Sequence, residues 1–99
     1  KFYQQLKTQY PEVFTAIENA GEAAKSAGPI DEKTAHLIQL GAAMATRSEG
    51  AVHSHTRRAL AAGASPEEIN HAILLLTNTV GFPAMVAGLS WAADVLEDD

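Results

Sequence analysis

Cysteine is missing from all 99 residues, and that absence removes a whole branch of chemistry. Without a thiol there is no disulfide, no thiolate metal ligand, and no thiol-based peroxidase or disulfide-exchange reaction. The compartment stays open, because a cysteine-free chain suits any redox poise. Basic residues are also scarce: 7 Lys and Arg stand against 12 Asp and Glu, a formal charge of −5. Nucleic acid or an anionic membrane calls for a basic surface, so neither is expected as a partner. No apolar run approaches the roughly 18 residues needed to span a bilayer. No basic-then-apolar signal stretch opens the sequence, although a processed N-terminus would look the same. A soluble, cytoplasmic protein is therefore expected. With 46% apolar and 19% charged residues, the composition is that of one globular domain over residues 1–99, large enough for a core and small enough to gain from self-association.

Strands are missing from the pattern as well. Thr77 to Val80 is β-branched but too short, and it runs into Gly81. Helical signals fill the remainder. A short helix over Phe2 to Gln9 is expected to pack Phe2, Tyr3 and Leu6. Pro11 and Glu12 open the next helix, with Val13, Phe14, Ile17, Ala20 and Ala24 at helical spacing and Gly28-Pro29 as its stop. Asp31 is an N-cap with Glu32 in the first turn, leading a helix so apolar on most sides that it reads as buried. After a bend at Arg47 to Gly50 a helix runs from about Ala51 to Ala62 and stops at Gly63. Ser65-Pro66-Glu67-Glu68 is a capping-box restart. Gly81-Phe82-Pro83 begins the last helix, whose Ala84, Ala87, Gly88 and Ala92 allow close helix approach. Phe82 and Trp91 read as core or subunit-contact aromatics, and Glu97-Asp98-Asp99 as a solvated acidic tail. The fold class is all-α, with five or six helices in a single domain.

Chemistry-bearing residues gather on the helix after Arg47. At about 100° per residue, Ala51, His55, Arg58 and Ala62 share one side, while Glu49, His53 and Arg57 lie nearly opposite. His53 and His55 therefore do not converge on one small ligand. Glu49 and His53, at i and i+4, suit an ion pair or an ancillary substrate or metal contact. His71 reads as a surface residue.

The run Arg47-Ser48-Glu49-Gly50-Ala51, followed by His55 and by Arg58 through Ile69, resembles the carboxymuconolactone decarboxylase and alkylhydroperoxidase D-like family. The helix from Asp31 to Thr46 and the Gly81-Phe82-Pro83 break fit the same family, so the resemblance covers roughly residues 10 to 97. It implies an alkylhydroperoxidase D-like helical bundle that assembles as a trimer or hexamer. In the family's redox branch a Cys-x-x-Cys pair opens this helix, a histidine follows four residues later, and a glutamate on the preceding helix completes a proton relay. Ser48 and Ala51 stand at the cysteine positions, His55 matches the histidine, and His36 replaces the glutamate. Peroxidase activity is therefore not expected. The family's decarboxylase branch lacks the cysteine pair and uses acid and base groups without a cofactor.

On that resemblance His36 and His55 meet across two packed helices. Two adjacent imidazoles repel when both are protonated, which makes one of them a candidate base near neutral pH. The catalytic candidates are His55, His36 and Ser48; the substrate-binding candidates are Arg58, Glu49 and His53; neither metal nor cofactor is expected. Arg58 would grip a carboxylate. The implied function is decarboxylase-like chemistry on a small carboxylated or lactone-like molecule. The alternative is a non-catalytic oligomer of the same fold that binds a ligand or a metal.

Overall fold

A computed structural model describes residues 2–97. Among them there are helices and connecting turns only. The order is α1 (Phe2–Gln9), α2 (Pro11–Ser26), α3 (Glu32–Ala45), α4 (Glu49–Ala61), α5 (Pro66–Leu74), α6 (Thr77–Val80) and α7 (Phe82–Leu96). The β-branched stretch at Thr77 is a single helical turn, so six helices of eight residues or more carry the all-α architecture. Of the acidic tail, Asp98 and Asp99 lie outside the described residues. By contacts the chain groups into two units, residues 1–30 and the remainder from Asp31.

In the first unit α1 and α2 pack on each other through an edge-to-face contact between Tyr3 and Phe14, with centroids 5.3 Å apart. Glu18 accepts a hydrogen bond from Tyr3 Oη at 2.8 Å and pairs with Lys7 at 3.0 Å. Neither helix has a buried residue; Phe2, Val13 and Ile17 are exposed.

The second unit holds the core. Leu40 and Met44 of α3, Val52 of α4, and Ile69 and Ile73 of α5 are fully shielded. Such side chains are each worth about 1.5–3 kcal/mol relative to exposure, which makes this set the main term holding α3, α4 and α5 in place. Helix α7 adds Ala84, Met85 and Ala92. The expectation that α3 is buried on most sides needs correcting. Its stripe at His36, Leu40 and Met44 is covered, but Ile38 is 54% exposed on the other side. Phe82 is likewise exposed, while Trp91 is half-buried against the core.

Two turns use one device. At the end of α3, Arg47 N–H donates to Met44 O (3.0 Å) and Ser48 N–H to Ala43 O (3.0 Å). At the end of α4, Gly63 and Ala64 repeat this pattern onto Leu60 and Ala59. Both are helix stops that need a left-handed residue. Gly63 meets that need freely at φ 104°, whereas Arg47 holds φ 56° with a side chain. Ser48 ends the first device and caps α4, its hydroxyl accepting from Ala51 N–H at 3.4 Å. The α4 start therefore falls at Glu49, two residues before the position expected from sequence. The α5 capping box forms as expected, with Ser65 and Glu68 bonded reciprocally at 2.9 and 3.0 Å.

Helix α7 approaches α3 where Gly88 faces Met44, and a methyl group at Gly88 would overlap Met44 Sδ. Gly88→Ala is expected to cost about 1–3 kcal/mol in urea unfolding, and Met44→Ala in the same chain should cancel part of that loss because both act on one volume. Thr56 Oγ1 is buried with no hydrogen-bond partner among the described residues. Thr56→Val, which removes that hydroxyl at nearly constant shape, should leave stability unchanged or raise it by up to about 1 kcal/mol.

Candidate functional site

Helix α3 carries His36 on its covered stripe, one turn before Leu40, so the imidazole is only 3% exposed. Helix α4 packs along α3 and brings His55, half-buried, against it. The two Nδ1 atoms are 3.4 Å apart, and the rings lie at a centroid distance of 5.6 Å with a 35° tilt. On the far side of His36, Nε2 stands 3.7 Å from Glu32 Oε2, an i, i+4 pair on one face of α3. Glu32 was legible from the sequence only as a first-turn charge; its spacing to His36 is the signal that identifies it as a partner.

The His55 imidazole is held below the usual histidine range, first by burial, then by the nearby Arg58 guanidinium and by His36. All three penalise the charged ring, so His55 favours its neutral, proton-accepting form. Arg58 follows His55 by three residues on α4 and is exposed. Ser48 is half-buried at the head of α4; its oxygen accepts from Ala51, which leaves its O–H free to donate elsewhere.

Glu49 and His53 face another neighbour. His53 Nε2 lies 2.9 Å from Asp94 Oδ2 on α7 and 3.9 Å from Glu49 Oε2. Two histidines separated by one residue thus serve different helices, His55 toward α3 and His53 toward α7. Asp94, 41 residues from His53, carried no signal in the sequence. The ligand atoms of Glu49, His53 and Asp94 all lie within 4.8 Å of one another, a nitrogen–oxygen set that a divalent cation accepts. The same distances make an ordinary exposed ion pair. Arg57 and His71 are exposed.

The polar ties around the first site run between elements. Lys33 of α3 donates to Glu68 of α5 at 3.1 Å, and Glu68 also accepts from Ser65 N–H. The Ser65 amide and Lys33 hold the Glu68 carboxyl below its usual range. This ties the first turn of α3, where Glu32 stands one turn before His36, to α5.

A depressed histidine has a definite linkage sign. The unfolded chain binds a proton at His55 near its ordinary value of about 6.5, before the folded chain does. Stability contributed by neutral His55 is thus complete above that value and falls as the pH drops through it. His55→Gln should flatten the decline in unfolding free energy between about pH 7 and pH 5. Urea midpoints measured across that range test this; parallel slopes in the two chains would contradict it.

Comparisons with other proteins bear on the family and the fold. The profile of the Carboxymuconolactone decarboxylase family matches residues 11–94. An uncharacterized protein from Haemophilus influenzae is 37% identical over 59 residues, which cover 60% of this chain and 52% of that protein. The match thus spans about half the length of that relative. The crystal structure of an apo carboxymuconolactone decarboxylase family protein from Legionella pneumophila superposes with a TM-score of 0.82 at 23% identity. That alignment covers 96% of this chain and 84% of the other. The sequence identity is low enough that this likeness speaks for the fold alone. With the family profile spanning most of its residues, the chain belongs to the carboxymuconolactone decarboxylase family.

Proposed function

We propose that this chain is a cofactor-free acid–base catalyst, decarboxylase-like, acting on a small carboxylated or lactone-like molecule. One observation carries the reading: a buried imidazole and a half-buried imidazole held Nδ1 to Nδ1 at 3.4 Å. His55, kept neutral by burial and by Arg58, takes the proton of the substrate carboxyl group that leaves as carbon dioxide. Its conjugate acid, whose charge His36 shares through the hydrogen bond, returns a proton to the carbon that has lost carbon dioxide. In that step the C–CO₂ bond breaks, its electron pair moves to the carbonyl oxygen as an enolate, and the added proton restores the neutral carbon. No redox partner is required. Arg58 holds a retained carboxylate, and the Ser48 hydroxyl donates to the developing oxyanion. Glu49 and His53 face α7, so they serve as ancillary contacts only for a substrate extending to that side. Thiol peroxidase chemistry has no residue to perform it, since the chain contains no cysteine.

Among the described residues no helix is long and apolar enough to cross a membrane. We read the working form as a cytoplasmic homo-oligomer, a trimer or hexamer. Exposed Ile38, Leu74, Leu75, Phe82 and Val86 support this, as apolar surface that association would cover. A second reading, a non-catalytic assembly binding a ligand or cation, draws support from Glu49, His53 and Asp94.

Small lactones and β-keto acids offered to the wild type and to His55→Ala separate the two readings. Acid–base catalysis predicts a loss of about 10²- to 10⁴-fold in turnover for the variant. Arg58→Ala should raise KM by about tenfold or more with carboxylated substrates. Equal turnover by wild type and His55→Ala would remove the catalytic reading.

A further inference from the structure

A contact between two Nδ1 atoms is symmetric in its heavy atoms, and the reaction needs to know which ring offers its free nitrogen. We infer that Glu32 sets the direction of the His36–His55 hydrogen bond and leaves His55 Nε2 as the unprotonated, reacting atom. The inference rests on the acid–base reading of this pair.

One neutral imidazole donates from Nδ1 while the other accepts there, so two arrangements compete. If His36 donates, its Nε2 lone pair faces the Glu32 carboxylate at 3.7 Å, acceptor against acceptor. If His36 instead carries its proton on Nε2, that N–H points at Glu32. His36 Nδ1 then accepts from His55 Nδ1–H, and His55 Nε2 keeps a lone pair. The second arrangement gives each polar nitrogen of His36 a complementary neighbour, and this matters because its side chain is only 4% exposed and has little water to substitute.

Two other described charges nearby, Arg58 and Lys33, do not make this choice. Arg58 acts on His55 and disfavours its cation, without bearing on the far nitrogen of His36. Lys33, adjacent to Glu32, is engaged by Glu68 at 3.1 Å. Among the described residues, His36 is the one group whose two nitrogens face two different partners, a carboxylate and an imidazole.

The consequence for catalysis is a three-member chain. A proton leaving the substrate carboxyl group arrives at His55 Nε2 and makes an imidazolium. Its Nδ1 proton already points at His36 and can pass there, which moves the positive charge beside the Glu32 carboxylate. The electron pair stays on the substrate, and no group changes oxidation state. Glu32 touches no substrate; it is a positioning residue that acts through His36.

Imidazole nitrogens report their protonation directly in long-range ¹H–¹⁵N correlation spectra of the ¹⁵N-labelled chain near neutral pH, with no substrate added. The wild type should show His36 protonated on Nε2 and His55 on Nδ1. In Glu32→Gln the ratio of the two arrangements should shift by roughly two- to fivefold toward the reverse, the size expected for a partly exposed charge pair. Glu32→Asp keeps the negative charge in the first turn of α3 but falls one methylene short, so it should resemble the Gln variant. His55 protonated on Nε2 in the wild type would overturn the inference, as would an unshifted ratio in Glu32→Gln. An Asp variant matching the wild type would also overturn it, assigning the effect to the helix terminus instead of to reach. Turnover is not the readout, so the two ideas fail separately. Expected tautomers without any lactone turnover would sink only the enzymatic reading, while turnover with reversed tautomers would sink only this one.

Discussion

Burying an imidazole in the packed stripe of α3 is the constraint from which the site follows. His36 occupies a position one turn from Leu40 and two turns from Met44, both fully shielded. A polar ring placed there loses water at both nitrogens, and each nitrogen left unmatched costs about 1–3 kcal/mol. The structure answers with a partner at each edge, His55 from α4 and Glu32 from the preceding turn of α3. A residue that only filled core volume would more cheaply be leucine. The two partners offset part of the cost of burying the polar ring.

The pair depends in turn on how α3 hands over to α4. Ser48 closes the helix stop of α3 with its N–H and caps α4 with its hydroxyl, so one residue sets the end of the first helix and the start of the second. Arg47 accepts a left-handed conformation to make that possible, where the equivalent stop after α4 uses Gly63. This turn joins α3 to α4, along which the two rings approach to 3.4 Å. At the opposite end of α3, the tie from Lys33 to Glu68 anchors its first turn onto the capping box of α5. Helix α3 is thus tied at both ends, which suits the proposed transfer of a proton over a short distance.

Much of this was legible in the sequence because its signals are local. Asp31, the Ser65 to Glu68 box and the Gly81-Phe82-Pro83 break each act within a few residues, and each marks a helix boundary where expected. The opposed faces of His53 and His55 follow from helical rotation alone. What stayed hidden depends on tertiary contact or on a signal with two meanings. Asp94 meets His53 only after α7 packs on α4. Ser48 looked like part of a bend because its capping role depends on where the helix stop before it falls. Glu32 was visible as a first-turn acid, and that role masked the second one, since a carboxylate at i and an imidazole at i+4 satisfy both. The uncovered Ile38 side of α3 was misjudged because hydrophobicity on every side resembles deep burial, although apolar surface can equally stay open on an isolated chain.

The absence of cysteine and the presence of His36 acquire a joint meaning in the geometry. In a thiol relay the histidine serves the sulfur, and the sulfur does the chemistry. With Ser48 and Ala51 where the resemblance implies the thiols would stand, nothing among the described residues of this face is a stronger nucleophile than an imidazole. On the acid–base reading proposed above, reactivity is proton transfer, and proton transfer benefits from a second site that shares the charge. A carboxylate directly beside His55 would stabilise its cation and raise its pKa. An imidazole there does the reverse, adding to burial and Arg58 in keeping His55 neutral. Placing the carboxylate one residue further along the chain of contacts, at Glu32 behind His36, reconciles the two demands: His55 stays neutral at rest, yet a charge it acquires has somewhere favourable to go.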